Sequence, residues 1–174
     1  MLTTVIRSSR PDDADAVAGV HETSRHAYYE AALGRPVDPG VRLAADLERL
    51  AMWQMVLSDP ARATVLCAEG AGQVTAFLSM GPPVHQHPEG TSVLELHALY
   101  VLPAHWGSGI GSQLHAAFAN RLAVGPFTWG VLDVWSGNRR AIAFYERRGW
   151  VADGRSSPAA DDYRYDGMSL TPVR

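Results

Sequence analysis

Cysteine is nearly missing from these 174 residues: Cys67 stands alone. A single thiol excludes an intramolecular disulfide, so nothing points to an oxidising compartment. Cys67 sits in the apolar run Thr64-Val65-Leu66-Cys67-Ala68, with no group at hand to activate a thiolate. It reads as a small buried hydrophobe rather than a nucleophile. Long hydrophobic runs are missing too, and no stretch reaches the length of a bilayer span. The start, Met1 to Val5, has no basic region followed by an apolar core, so no secretion signal is expected. Charge of one sign is scarce. With 15 Lys and Arg against 18 Asp and Glu, net −3, the chain is not expected to be a general binder of nucleic acid or anionic membrane. Repeats, charge blocks and low-complexity tracts are absent. What is present is an ordinary balance, 47% hydrophobic and 19% charged, at a length that suits one cytoplasmic domain over 1–174.

Periodicity and turn residues then order the elements. Thr3 to Arg7 reads as a strand. Pro11, followed by Asp12, Asp13 and Asp15, opens a helix that runs to about Leu33, with a break expected near Gly19. Gly34 to Gly40 is a loop. A second helix shows a stripe of Leu43, Leu47, Leu50, Gln54 and Leu57. Ala63 to Ala68 and Gln73 to Met80 are strands joined by the hairpin signal Gly70-Ala71-Gly72. Thr91 to Val101 is a long strand. Strict alternation puts Val93, Glu95, His97, Leu99 and Val101 on one face, with Leu94, Leu96, Ala98 and Tyr100 on the other. Ile110, Leu114, Ala117, Phe118 and Leu122 mark a helix over Gly109 to about Ala123. Phe127 to Trp135 is a strand, and Asn138 to Arg148 a helix capped by Gly149. Trp150 to Asp153 and Tyr163 to Leu170 are the last strands. The order β-α-α-β-β-β-α-β-α-β-β implies a mixed sheet with helices on both faces. The crossover from Val101 to Phe127 is long enough for a parallel pair.

Between the long strand and its helix lies Trp106-Gly107-Ser108-Gly109-Ile110-Gly111. Glycines at alternate positions remove Cβ atoms where sheet turns to helix. Backbone N–H groups can then approach an anion, with the positive helix end behind them. Two familiar phosphate loops do not fit. A P-loop needs GxxxxGK[ST], whereas Gly111-Ser112-Gln113 follows here; a dinucleotide fingerprint needs GxGxxG, and the spacing here is GxGxG. A tight turn without a ligand gives the same pattern, so the loop alone does not decide.

A second segment decides more. Leu96-His97-Ala98-Leu99-Tyr100-Val101 through Gly111-Ser112-Gln113-Leu114, together with Asn138-Arg139-Arg140-Ala141-Ile142-Ala143-Phe144-Tyr145-Glu146-Arg147-Arg148-Gly149-Trp150, resembles the GNAT superfamily of N-acetyltransferases. The first looks like the family's strand, pyrophosphate loop and helix, the second like its NxxAxxFYxxxGF motif. The resemblance covers nearly the whole chain. One position departs: Trp106 stands where the family loop, [QR]xxGxG, usually begins with Gln or Arg. Backbone N–H groups do most of the gripping, so binding is expected to survive.

The resemblance implies an α/β acyl-CoA N-acyltransferase fold of about seven strands. It also implies acyl transfer from acetyl-CoA to a primary amine without a covalent intermediate, and no metal. The chemistry asks for three things: a base for an amine whose ordinary pKa is about 10.4, a donor for the oxyanion, and an acid for the leaving thiolate. By resemblance, main-chain groups of Leu99, Tyr100 and Val101 meet the acyl end of acetyl-CoA, where the strand splays from its parallel neighbour. Trp106, Gly107, Ser108, Gly109, Ile110, Gly111 and Ser112 cradle the pyrophosphate, and Asn138 and Tyr145 also touch the cofactor. Tyr145 is the candidate general acid; a buried helical aromatic is the other reading of it. Glu95, on the expected face of Val101, is the candidate base, directly or through water; a strand carboxylate in a salt bridge is the alternative, and His97 competes for the role.

His85 and His87 hint at a metal but read better as loop surface. His26, Tyr28, Tyr29 and Trp53 stand as acceptor-pocket residues or as ordinary packing. A small-molecule amine is favoured over a protein amine because no acidic or extended peptide groove is legible. The rival functions are a non-catalytic acyl-CoA-binding module, a peptide acetyltransferase and a transferase of longer acyl chains. Homodimers are common in the family, and one of the five tryptophans is a candidate interface anchor.

Overall fold

The computed structural model describes residues 4–36, 39–84, 92–159 and 164–172. The elements are β1 (Val5–Ser8), α1 (Ala14–Leu33), α2 (Pro39–Ser58), β2 (Thr64–Gly70), β3 (Gln73–Gly81), β4 (Val93–Val101), α3 (Ile110–Val124), β5 (Trp129–Trp135), α4 (Arg139–Glu146), β6 (Val151–Pro158) and β7 (Arg164–Leu170). The strands form one sheet in the order β1-β2-β3-β4-β5-β7-β6. Every pairing is antiparallel except β4 with β5. The mixed sheet and the element order expected from the sequence are therefore both present.

Alternation along β2 and β3 explains the two cores. Ala68, Ala76, Leu78 and Met80 face α3, whose Ile110, Leu114, Phe118 and Leu122 are the positions that share a helical face. Tyr145 of α4 and Trp150 complete this layer. Val65, Cys67 and Phe77 point the other way, against Val17 and Val20 of α1 and Trp53 and Leu57 of α2. Cys67 is fully buried there, and burial pushes its thiol up to about 12, which leaves it unreactive near neutral pH. The β2–β3 hairpin turns on Ala71 (φ 53°) and Gly72 (φ 76°), both left-handed, as a primed turn requires.

Three expectations need correction. First, α1 runs unbroken through Gly19, and only its entry is irregular, a 3-10 turn over Pro11–Asp13. Second, the stripe of α2 is buried only at its C-terminal end. Trp53 and Leu57 enter the core, whereas Leu43 and Leu47 are 63% and 62% exposed. Periodicity marks an apolar face, but not how far the sheet beneath it extends. Third, β4 does not alternate strictly. Ser79 pairs with Ala98 but Met80 pairs with Leu96, so His97 is an extra residue in the ladder. Because the side-chain period is two, this bulge exchanges the faces beyond it. Leu94 and Leu96 face α3, and so do Leu99 and Val101, while Ala98 and Tyr100 face α1 and α2. Glu95 and Val101 are thus on opposite faces, not on one.

Candidate active site

The bulge in β4 lies next to a split in the sheet. Parallel pairing joins Val93, Leu94 and Glu95 to Trp129, Gly130 and Val131, then stops. β4 continues to Val101 and β5 to Trp135, so the strands part over the rest of their length. Leu102 N donates to Thr75 O at 2.9 Å, which sets the parity of the β3–β4 ladder. In an antiparallel ladder, alternate residues bond to opposite sides. Tyr100 and Ala98 therefore spend their main-chain groups on β3, and those of Leu99 and Val101 face the opening. Val101 O is bonded by no strand: it accepts from Ser24 Oγ at 3.0 Å and from Trp106 Nε1 at 2.7 Å.

The glycine loop follows. Gly107 (φ 80°) and Gly109 (φ 88°) adopt left-handed conformations that other residues resist. Gly109 caps α3 and offers no side-chain acceptor to the first-turn N–H groups. Those donors remain for an anion, at the positive end of the helix. Gly111 needs no left-handed backbone, and a Cβ there would meet Phe144 and Val101 at an ordinary 3.6 Å. What its missing side chain leaves is room in the cavity.

That cavity has a volume of about 350 Å³ and lies among the end of β4, the loop and N-terminus of α3, α4, and Ser24 and Tyr28 of α1. Leu99, Tyr100, Val101, Trp106, Gly107, Gly109, Gly111, Ser112, Asn138 and Tyr145 all line it. Ser108 and Ile110 do not: Ser108 Oγ donates to His105 O at 2.6 Å, and Ile110 is buried against the sheet. Asn138 has a local duty as well, since its Oδ1 accepts from Ala141 N at 3.1 Å and caps α4. Tyr145 is 8% exposed. Burial and the neighbouring Tyr100 hold its hydroxyl above the ordinary phenol range, against a smaller opposing effect of Arg148. It is protonated at neutral pH.

Several lining residues were not anticipated in this role. Arg140, Arg147 and Arg148 give one wall strong positive charge. Arg148 donates to Ser112 Oγ at 2.5 Å and stacks 3.6 Å from the Phe144 ring centroid; Arg140 lies 4.0 Å over the Trp106 ring. Arg140 on Trp106 and Arg148 on Ser112 join the two motifs, a pairing that only packing reveals. Ser24 and Tyr28 of α1 close the other wall. Of the four acceptor-pocket candidates, Tyr28 lines the cavity and Tyr29 packs beside it at 4.8 Å. Trp53 is buried and donates to His21 Nδ1 at 3.1 Å. His26 belongs to a buried charge cluster with Glu22, Asp46 and Arg49 that joins α1 to α2. Glu95 and His97 do not line the cavity. Glu95 Oε2 accepts from Val84 N at 2.7 Å, and His97 Nε2 lies 2.8 Å from Pro82 O. His85 and His87 lie outside the described residues.

A sheet opened at a parallel pair, with a helix start that no side chain caps nearby and a protonated tyrosine in the cavity, belongs with acyl-CoA-dependent transferases. Residues 20–150 match the sequence model of the acetyltransferase (GNAT) family, and the chain belongs to that family. No curated protein sequence matches it. Solved structures share its fold at low identity. PaiA N-acetyltransferase from Thermoplasma acidophilum, in complex with coenzyme A, superposes with a TM-score of 0.75 at 15% identity, over 97% of this chain and 99% of that one. An N-acetyltransferase from Staphylococcus aureus Mu50 gives 0.71 at 16%, over 98% and 99%. YncA from Salmonella typhimurium, solved with its cofactor acetyl-CoA, gives 0.69 at 20%, over 99% and 95%.

Proposed function

We propose that this protein transfers an acetyl group from acetyl-CoA to the primary amine of a small molecule by direct attack. The observation that carries the reading is the cavity itself. It brings unpaired strand main chain, an uncapped helix N-terminus and a protonated tyrosine into one space. The coenzyme A and acetyl-CoA complexes of two proteins of the same fold support the choice of ligand.

The residues fit that ligand. Free N–H groups from Gly109 onward, with Arg140 and Arg148 beside them, suit a pyrophosphate. The bound thioester supplies the activated acyl group. Main-chain N–H groups of Leu99 and Val101 are oriented to stabilise a developing oxyanion. Tyr145 donates its proton to the departing sulfur. Glu95, which precedes the bulge and faces the α1 side outside the cavity lining, receives the amine proton through water rather than directly.

Thermal melts with acetyl-CoA, against NAD and ATP as controls, test the ligand. At a hundredfold excess over Kd binding adds about 2.7 kcal/mol, which raises the midpoint by several degrees. Equal shifts with all three, or none, reject the reading. Thiol release from acetyl-CoA then tests turnover, with little background because the one cysteine is buried. Tyr145→Phe is expected to lower kcat by about 10²–10⁴-fold with acetyl-CoA binding intact. Binding without turnover on any amine would instead identify a non-catalytic acyl-CoA-binding module.

A further inference from the structure

The cavity has two kinds of arginine neighbour. Arg140, Arg147 and Arg148 belong to α4 and its end, on the α3 side of the sheet. Arg25 belongs to α1, on the opposite side. It is half-buried, one residue from Ser24 and one turn before Tyr28, both of which line the cavity.

The surroundings of Arg25 are aromatic rather than acidic. Its guanidinium carbon is 4.7 Å from the Tyr29 ring centroid, and Nη2 reaches Tyr29 Oη at a long 3.5 Å. It interacts electrostatically with Tyr28, Tyr29, Tyr100 and Tyr165. Trp135, buried at the end of β5, backs these rings at 4.4 Å from Tyr29 and 5.8 Å from Tyr28. Tyr29 Oη and Tyr165 Oη are 3.4 Å apart. Among the described residues no carboxylate lies within ion-pair distance of Arg25. Two other partly buried arginines have one: Arg7 holds Asp13 and Glu69, and Arg49 holds Glu22, whereas Arg148, which has none among the described residues, lines the cavity beside the α3 N-terminus. A guanidinium drawn out of water ordinarily has an anionic partner, and its planar fork matches a carboxylate.

We propose that the acceptor is an amine that also carries a carboxylate, an amino acid or a close analogue. Arg25 takes the carboxylate, and Tyr28, backed by Tyr29 and Trp135, packs against the rest. Acceptors without the anion leave Arg25 as unpaired as it is now, so the site discriminates against them. This rests on the acetyl-transfer reading above and names the substrate class for it.

The test compares amino acids with the amines left when their carboxyl groups are removed, for example phenylalanine with phenethylamine and methionine with 3-(methylthio)propylamine. Acetylation is followed by thiol release. The expected result is a kcat/KM at least about tenfold higher for the preferred amino acid than for its decarboxylated partner. Replacing its carboxylate by a carboxamide should lose the advantage, and a phosphonate analogue shows whether the fork demands carboxylate or any oxyanion. Arg25→Met should erase the preference by raising KM for the amino acid, while its acetyl-CoA melting shift stays at the wild-type value. Arg25→Lys, which keeps the charge but not the fork, should recover part of it. Quenching of tryptophan fluorescence by the amino acid in the presence of CoA gives a readout that needs no turnover. Decarboxylated amines that work equally well, or an Arg25→Met enzyme that keeps the preference, overturn the proposal. A failure of acetyl-CoA to shift the melt overturns the acetyl-transfer reading, and this proposal with it.

Discussion

Trp106 shows how one residue can replace another by chemistry of a different kind. A Gln or Arg at the head of the loop would offer donors directly to a phosphate. Trp106 instead donates its indole N–H to Val101 O and lends its ring face to Arg140. In the proposed site, the cation that the loop head lacks comes from α4, held by a contact that favours guanidinium over the best aromatic ring. Arg140→Met is expected to raise KM for acetyl-CoA about fivefold or more, the size of a cation–phosphate contact of about 1 kcal/mol, with kcat little changed. Trp106→Ala removes the platform as well as the bond to Val101 O and should cost more. Steady-state kinetics at varied acetyl-CoA check both, and an unchanged KM in Arg140→Met would remove Arg140 from the site. Arg25, by contrast, is a residue whose significance no spacing signals, because an arginine on a helix is ordinary until its neighbours are seen.

At the scale of elements, the proposed anion site at the start of α3 ties stability to ligand. Gly109 at φ 88° has nothing within 4 Å of where a Cβ would stand. Gly109→Ala therefore tests backbone strain without a clash. It should lower stability by about 1–2 kcal/mol, the ordinary penalty for a left-handed residue with a side chain. Relief of that strain turns the loop N–H groups, so the melting shift given by acetyl-CoA should shrink as well. A variant that loses stability but keeps the full shift would show that the loop does not grip the anion. The bulge in β4 is the other decisive element. By inserting His97 it keeps Leu99 and Val101 on the α3 face and places Glu95 on the α1 face. The opposing faces follow from counting residues across two strands, which one strand read alone does not permit.

At the scale of the whole molecule, the titration of two of the buried histidines, His115 and His21, ties folding to pH. His115 accepts from Trp150 Nε1 at 2.8 Å, and burial, aided by Arg148, pulls its pKa from 6.5 down to about 4. His21 accepts from Trp53, and burial, aided by Arg49 and Arg25, pulls it down to about 2. Both are neutral in the folded chain, whereas unfolding lets them protonate near pH 6.5. Their contribution is complete above that pH and is lost as pH falls towards the folded values. In that window each steepens the fall of stability by about 1.4 kcal/mol per pH unit. His115→Gln, which keeps an acceptor for Trp150, should flatten denaturant stability between pH 6.5 and about 4. A profile with the wild-type slope would show that His115 protonates freely in the native state.

The order of elements, the glycine loop and the α4 motif were all determined by the sequence, because each depends on periodicity, turn residues and spacing within a short stretch. The loop and the motif placed Gly107, Gly109, Gly111, Ser112, Asn138 and Tyr145 on what proves to be a single cavity. Tertiary structure alone decided the rest. It stopped the β4–β5 pairing at Glu95, left Leu43 and Leu47 in solvent, tied Glu95 to Val84 and set Arg25 among tyrosines with no acid in ion-pair reach among the described residues. Each of these depends on which distant segment lies opposite, and burial, strand register and the partners of a charge are properties of that neighbour as much as of the residue itself.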